Sequence, residues 1–377
     1  MTVESAADIA QPPPAGKSAI ESVRESVFDC VGNTPVVALR RLFPEPGVEV
    51  LAKLELMNPG GSMKDRSARY IIETGLAEGS IHPGSTVVES SSGNFGIALA
   101  MAALVHELRF VCVVDPKTTS ANVALLRRLG ATVETVSEPD EAGGYLHTRI
   151  RRVKELLADV PGAIWINQYA NDRNWKAFYH GTGAELAQQL VRPPSYLFAP
   201  VSTSGSILGC SRRLRERFPD LRVIAVDAVG SVIFGGAPAP REIPGIGSSR
   251  VPELLRPEEI DDVVHVDDVE AAECCRELLA TEGIFAGGSS GAVVAAIRRS
   301  LPRLTSPGRV LAIFPDRGDR YLDLVYDDAW LERIRSSRPS ARTATGDSGH
   351  FSDRAAVRPR AATARRLPRP TPSKESS

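Results

Sequence analysis

Short apolar runs that alternate with helical periods constrain this chain more than any other feature of its sequence. The runs that read as strands are residues 50–56, 86–91, 110–115, 132–136, 164–169, 196–202, 223–229, 263–268 and 310–316. Stretches with helical periodicity, such as NFGIALAMAALVHE, SANVALLRRLG and YLHTRIRRVKELLADV, separate most of them. This alternation predicts βαβ units, an α/β fold with parallel sheets, and ligand sites at the carboxyl ends of the strands.

Length and charge narrow the class of protein. A chain of 377 residues can form two domains, each with its own core. The formal net charge of -1 gives no overall attraction to nucleic acid or to an anionic membrane. The N-terminus has no hydrophobic signal core, and no apolar stretch reaches bilayer-spanning length. We therefore expect a cytoplasmic enzyme or binding protein with no nucleic-acid or membrane partner.

The chain termini differ in composition from the rest of the sequence. Residues 1–24 are rich in Pro, Ala and Ser and are predicted to be a disordered leader. Residues 336–377 are rich in Arg, Pro and Ser and cannot bury enough apolar surface to offset their ordering entropy. We therefore predict a disordered basic tail, and we favour an inert tail over an arm that binds nucleic acid or a partner.

The cysteines indicate neither a disulfide framework nor a zinc site. They are Cys30, Cys112, Cys210, Cys274 and Cys275, an odd number without a CxxC pair. Cys112 lies in the apolar run RFVCVVD and is predicted to be a small buried hydrophobe. None of them is expected to be catalytic, and we expect no bound metal.

One lysine stands in an unusual place. In MNPGGSMKDRSARY, residues 57–70, Lys64 lies just inside the start of a predicted helix. A cation there opposes the helix dipole. Taken alone, Lys64 is best read as a surface lysine whose amine points into water. The alternative is a reactive amine beside a cofactor that carries a phosphate.

Three further strand-to-helix junctions are rich in small residues. SSSGNFG, residues 90–96, suits a carboxylate, although an N-cap with turn glycines explains it equally well. VSTSGSILG, residues 201–209, suits a phosphate at a helix N-terminus, and it is neither a P-loop nor a dinucleotide fingerprint. GGSSG, residues 287–291, matches a hydrolase nucleophile elbow. That fold requires a later histidine, and the only one after Ser289 is His350 in the predicted tail.

One chemistry uses such junctions together with a single lysine. Pyridoxal phosphate is held by its phosphate at a helix N-terminus and by a lysine at its aldehyde. The motifs NTPVVAL, MNPGGSMKDR, SSGNFG, INQYA, VSTSGSILG, GGSSGA and PDRGDRYL occur in the order seen in fold type II pyridoxal-phosphate enzymes. Over residues 27–331 the chain strongly resembles the cysteine synthase and cystathionine β-synthase group.

The resemblance implies a fold and a domain organisation. We expect two open twisted sheet domains flanked by helices, in the tryptophan synthase β-like arrangement. Residues 25–60 and 165–335 would form the large cofactor-binding domain. Residues 61–164 would form a smaller mobile domain that carries the lysine and the carboxylate loop. The resemblance also implies a homodimer.

The resemblance also assigns roles to individual residues. Lys64 matches the lysine that binds the cofactor covalently, Asn94 the side chain at the ring oxygen, and Ser289 the serine at the pyridine nitrogen. Ser91, Ser92, Gly93 and Gln168 match the site of the substrate carboxylate. The phosphate cup matches Ser202, Thr203, Ser204, Gly205 and Ser206.

Departures from the family pattern narrow the reaction. Phe95 replaces the Thr or Gln usual in sulfur-transfer members, and Ser202 and Ser204 interrupt a glycine-rich cup. YANDRNW, GGYLHTR and GSVIFGG are similar to a subgroup that makes N-(2-amino-2-carboxyethyl)-L-glutamate. In that subgroup, residues matching Arg149, Tyr169 and Ser202 select the substrate. An arginine suits an additional carboxylate, although the residues alone favour a solvated helix-face charge for Arg149.

The resulting hypothesis is a β-replacement in which L-glutamate displaces the phosphate of O-phospho-L-serine through an aminoacrylate. Lys64 would move the α-proton, and the smaller domain would close over the substrate. The product leads to 2,3-diaminopropionate, a building block of siderophores and peptide antibiotics. The alternatives are a cysteine synthase using O-acetylserine or O-phosphoserine with sulfide, and a non-catalytic homologue. Intact Lys64, Asn94 and Ser289 argue against the second alternative.

Overall fold

The structure is a computed structural model, and it describes residues 23–139, 144–304 and 308–337. The strands in these ranges are β1 (Val36–Ala38), β2 (Glu49–Leu54), β3 (Thr86–Ser90), β4 (Arg109–Val114), β5 (Thr132–Thr135), β6 (Ile164–Trp165), β7 (Tyr196–Pro200), β8 (Arg222–Ala228), β9 (Asp262–Val266) and β10 (Arg309–Phe314). The α-helices are α1 (Lys64–Ala77), α2 (Asn94–Val105), α3 (Ser120–Arg128), α4 (Leu146–Asp159), α5 (Asp172–Phe178), α6 (Ala184–Gln189), α7 (Gly205–Arg217), α8 (Asp268–Glu282), α9 (Gly288–Ser300) and α10 (Asp328–Ser336).

The larger sheet has the strand order β1-β2-β10-β7-β8-β9. All its neighbouring strands run parallel except β1, which pairs antiparallel with β2. Alternate residues of β10 enter two cores on opposite faces. Val310 and Ala312 pack with α8 and α9, whereas Leu311 and Ile313 pack with α6 and α7. The sheet is therefore buried on both faces, which explains why its strands read as continuous apolar runs.

The smaller sheet is wholly parallel and has the order β5-β4-β3-β6. One face, including Phe110 and Cys112 of β4, packs against α1 and α2. The opposite face packs Val113 against Val153 and Leu156 of α4. Cys112 is fully buried, as predicted.

Every predicted strand except 164–169 is confirmed within two residues of its ends, and one observed strand, β1, was not predicted. β1 was not among the predicted strands, because three residues on an antiparallel edge leave too little pattern to detect. The predicted strand 164–169 is only two residues long, because Asn167 has a left-handed φ of 49° that turns the chain. Trp165 pairs with Val88, so the return to the larger sheet comes after residue 165, later than predicted.

The described residues contain two sheets, and the division into a large cofactor-binding domain and a smaller mobile domain stays a prediction. Ser336 ends α10, so the predicted tail boundary falls inside this helix. Residues 1–22 of the predicted leader and 338–377 of the predicted tail lie outside the described residues. Among the residues that are described, no helix has the length and apolar character needed to span a bilayer.

Candidate active site

A cavity of about 230 Å³ lies where the carboxyl ends of several strands meet. The segments that follow β2, β3, β4, β7 and β10 all contribute to its lining. Parallel strands present their carboxyl ends at one edge of a sheet, so loops distant in sequence come together there. The predicted ligand sites at strand ends are therefore parts of one cavity.

Lys64 is the first residue of α1 and lines this cavity. Its backbone N–H donates to Ser62 Oγ at 3.2 Å, which fixes the turn before the helix. Burial of the amine lowers the pKa of Lys64 to about 8, while the negative charge of Asp316 acts in the opposite direction. About a quarter of this lysine is therefore neutral at pH 7.5, and the neutral amine is the form that a nucleophile or a base requires.

A buried ionic network holds the first turn of α1. Arg66 is 5% exposed and donates to both carboxylate oxygens of Glu55, at 2.6 and 2.9 Å. Its Nη1 also donates to Glu185 at 2.6 Å, and the fully buried Lys53 amine reaches the same carboxylate at 2.6 Å. Bidentate arginine–carboxylate pairs restrict geometry as well as adding energy. The network thus positions Lys64 two residues away.

The predicted carboxylate loop joins β3 to α2. Its backbone is held by Ser91 Oγ, which accepts from Gly96 N at 2.9 Å. Behind the loop, Glu89 accepts from the backbone N–H groups of Ser90 at 2.8 Å and Gln168 at 3.4 Å. Burial raises the pKa of Glu89 to about 7, against the effect of these hydrogen bonds. Glu89 therefore connects the loop to Gln168, the second predicted carboxylate-binding element.

The predicted phosphate loop precedes α7. Its N-cap, Ser204, has a left-handed φ of 64°, and no side chain among the described residues caps the helix. The Ser204 hydroxyl is buried without a hydrogen-bond partner in the described structure. A Cβ on Gly205 would lie 2.7 Å from the Asn174 side chain, so this position requires glycine. The uncapped N–H groups and the unsatisfied hydroxyl suit a bound anion.

Asn174 on α5 joins the phosphate loop to the carboxylate site. It is 1% exposed, and its Nδ2 donates to Gln168 O at 2.7 Å and to Thr203 Oγ1 at 3.1 Å. A single buried amide therefore sets the spacing between two of the predicted anion sites.

Asn94 is held from the opposite side of the cavity. Its Nδ2 donates to Asp316 Oδ2 at 2.6 Å, and its Oδ1 accepts from Arg320. Arg320 also donates to Gly60 O at 2.6 Å, and the Tyr321 hydroxyl donates to Asp316. Burial raises the pKa of Asp316. The segment after β10 thus orients Asn94 and places a carboxyl group near Lys64.

All predicted site residues line the cavity except Ser204, the N-cap of α7, and Gly205, the first residue of that helix. The lining members are Lys64, Ser91, Ser92, Gly93, Asn94, Arg149, Gln168, Tyr169, Ser202, Thr203, Ser206 and Ser289. The Arg149 side chain is only 15% exposed, so it is not the solvated helix-face charge that the residues alone favoured. Ser289 is 2% exposed in the first turn of α9.

Sequence reasoning missed Asp316, Arg320 and Lys117, which also line the cavity. Asp316 and Arg320 belong to the PDRGDRYL motif, to which the sequence assigned no role. The rule that ligand sites follow strand ends would have identified Asp316, because it comes two residues after β10.

The residues present fit pyridoxal phosphate. The uncapped start of α7 offers backbone N–H donors for a phosphate, and the Ser204 hydroxyl beside it has no partner among the described residues. Lys64 offers an amine with a lowered pKa for the aldehyde. Ser202, Thr203 and Ser206 add hydroxyl groups that line the same cavity. The donor set therefore matches both reactive ends of this cofactor.

Comparison with known proteins gives the same result. Residues 27–316 match the family described as "Pyridoxal-phosphate dependent enzyme". A protein of Ralstonia nicotianae named "N-(2-amino-2-carboxyethyl)-L-glutamate synthase" is 60% identical over 84% of this chain and 94% of its own length. A protein of Cupriavidus metallidurans with the same name is 58% identical, also over 84% of this chain and 94% of its own length.

Solved structures agree on the fold. The O-acetylserine-dependent cystathionine β-synthase of Helicobacter pylori is 35% identical and superposes with a TM-score of 0.74, covering 80% of this chain and 98% of that one. The expected fold type II architecture, with two sheets flanked by helices, is confirmed. This chain belongs to the family of pyridoxal-phosphate-dependent enzymes.

Proposed function

We propose that this enzyme makes N-(2-amino-2-carboxyethyl)-L-glutamate and phosphate from O-phospho-L-serine and L-glutamate. The bond from the β-carbon of phosphoserine to its phosphate oxygen breaks, and a bond from that carbon to the glutamate nitrogen forms. Two relatives that match this chain over 94% of their own length carry the name of this activity.

The charge of the cavity is the observation that carries this proposal. Among the described lining residues, Lys64, Lys117, Arg149 and Arg320 are basic, whereas Asp316 is the single acidic residue. Phosphoserine and glutamate together bring a phosphate and three carboxylates. A partly enclosed basic cavity concentrates such anions. Sulfide, the nucleophile of a cysteine synthase, has no carboxylates to use this charge.

The chain's own residues supply binding and proton transfer. When bound, pyridoxal phosphate supplies an electron sink for negative charge at the substrate α-carbon. Ser91, Ser92 and Gly93 hold the carboxylate of the first substrate, together with Gln168. The neutral Lys64 amine accepts the α-proton at Nζ and later returns it. Closure of residues 61–164 over the cavity excludes water, which would otherwise compete with the glutamate amine.

The test compares nucleophiles on purified enzyme loaded with pyridoxal phosphate. We expect O-phosphoserine and glutamate to give the product mass and one phosphate per product, at a higher kcat/KM than O-phosphoserine or O-acetylserine with sulfide. Lys64→Ala is the control and is expected to abolish turnover while keeping the fold by circular dichroism. Faster turnover with sulfide would instead assign the enzyme as a cysteine synthase.

We further propose that the product supplies 2,3-diaminopropionate for a siderophore or a peptide natural product. The support is the resemblance of YANDRNW, GGYLHTR and GSVIFGG to the subgroup that serves this pathway. The same resemblance supports a cytoplasmic homodimer. Light scattering that gave the monomer mass, 40.5 kDa, would contradict the dimer.

A further inference from the structure

Two cations that line the cavity follow or pack on strands of the smaller sheet, whereas the phosphate loop follows β7 of the larger sheet. Lys117 lies in the segment that follows β4, and Arg149 lies in the first turns of α4. Lys117 is exposed, and its Nζ lies 5.8 Å from the ring centre of Tyr145. Arg149 is 15% exposed. One cation therefore stands at the solvent side of the cavity and the other deeper.

A single carboxylate holds both of these residues. Asp115, 8% exposed, follows β4 directly. Its Oδ1 accepts from the Lys117 backbone N–H at 2.9 Å, and its Oδ2 lies 3.3 Å from Arg149 Nε. The loop is closed further by Thr118, whose N–H donates to Asp115 O at 3.0 Å. Asp115 therefore connects the backbone at Lys117 to the side chain of Arg149, which comes from a separate element.

The cation pair adjoins the predicted carboxylate loop without being part of it. Asn122 in the first turn of α3 donates from Nδ2 to Ser92 O at 3.1 Å. The segment 115–122 therefore packs directly against the loop that would bind the first substrate. A second amino acid bound beside the first would have a carboxylate within this region of the cavity.

We propose that Lys117 acts with Arg149, which the family resemblance already links to substrate selection, in binding the side-chain carboxylate of the second amino-acid substrate. This inference rests on the function proposed above and adds Lys117 as a residue that determines specificity. The first substrate must reach Lys64, which is less exposed than Lys117, so the second substrate lies on the solvent side. There the exposed lysine meets its carboxylate, and the arginine adds a planar pair of donors.

The test replaces Lys117 by glutamine and measures each substrate separately. A charge-assisted hydrogen bond at a partly exposed site predicts a rise of about tenfold in KM for glutamate. We expect kcat and the KM for O-phosphoserine to stay within about twofold of the wild type. The substitution removes a contact that binds glutamate equally well in the ground state and in the transition state. Lys154→Gln, which removes an exposed lysine on α4, is the matched control.

Glutamine as an alternative nucleophile gives a second readout. The wild type should prefer glutamate to glutamine, and Lys117→Gln should lose most of that preference. The uncharged side-chain amide of glutamine does not pair with Lys117, so only the reaction with glutamate should depend on this cation. In a double-mutant cycle, Lys117→Gln and Arg149→Gln should be non-additive, because both bind the same carboxylate.

The outcomes separate this inference from the proposed function. If the wild type uses glutamate but Lys117→Gln matches Lys154→Gln in all constants, only the Lys117 assignment is wrong. A selective rise in KM for O-phosphoserine would place the phosphate at this site and also overturn the assignment. If the wild type makes no product with glutamate, the proposed function fails and this inference fails with it.

Discussion

The lowered pKa of Lys64 predicts how the cofactor-free enzyme captures pyridoxal phosphate. Only a neutral amine attacks the aldehyde. With a pKa of about 8 instead of the ordinary 10.5, about a quarter of Lys64 is neutral at pH 7.5 rather than about one part in a thousand. Capture at that pH should therefore be faster than for an ordinary lysine of equal accessibility, by at most about two hundredfold, because a less basic amine is also a weaker nucleophile.

The assay mixes cofactor-free enzyme with pyridoxal phosphate over a range of pH and traps the adduct with borohydride. Below the pKa the rate should rise about tenfold per pH unit, and it should level off above about pH 8. Peptide mapping should place the label on Lys64, and Lys64→Ala should remove the labelled peptide. Because the negative charge of Asp316 raises the pKa of Lys64, Asp316→Asn should move the plateau to lower pH.

Two results would refute this reasoning. A rate that continued to rise toward pH 10 would mean that the Lys64 amine is solvated and behaves as an ordinary lysine. A label on another lysine, or on none, would remove Lys64 from the site altogether.

Three further predictions concern the ionic network next to Lys64 and the N-cap of α7. Arg66→Met leaves Glu55 buried without its partner and should lower the free energy of unfolding in urea by about 3 to 5 kcal/mol; an unchanged value would contradict this. Burial raises the pKa of Glu185, but hydrogen bonds from Arg66 and Lys53 outweigh this effect and hold the pKa at about 2. The lowered pKa contributes about 3 kcal/mol of stability above pH 4.5, and this contribution should be lost as the pH falls toward 2. Urea unfolding measured over a range of acid pH values would show the loss. Ser204→Gly and Ser204→Ala should both weaken pyridoxal phosphate binding in a fluorescence titration. Without the cofactor, the glycine variant should be more stable than the alanine variant by about 1 kcal/mol, because residue 204 has a left-handed φ of 64°.

Loops at strand-to-helix junctions were predictable because their chemistry is local. The small residues of SSSGNFG and VSTSGSILG stand directly after apolar strands, so their backbone N–H groups had to lie at helix starts. The hydrolase interpretation of GGSSG was excluded by residue order alone. Its glycines are explained by packing, because a Cβ on Gly291 would collide with Ala271 O and a Cβ on Gly288 would lie 2.8 Å from Ile243.

Long-range pairings were not predictable, because they carry no local pattern. Lys53 and Glu55 look like ordinary polar members of the strand VLAKLEL, yet both are fully buried. Lys53 pairs with Glu185, far away in sequence, and Glu55 pairs with Arg66 in the next helix. Arg149 read as a solvated helix charge, and its inward position depends on Asp115 at the end of β4. Such charges are buried only where a partner from another element compensates them.

The sequence by itself determined the α/β class, the junction loops and the single lysine placed against its helix dipole, since these follow from periodicity and from residues adjacent in the chain. Tertiary structure decided which charges surround that lysine. The parallel strand order β1-β2-β10-β7-β8-β9 brings Asp316 and the phosphate loop to one edge, and the smaller sheet brings Asn94, Lys117 and Arg149 to the same cavity. Electrostatic energy depends on distance in space, which the order of residues in the chain does not specify.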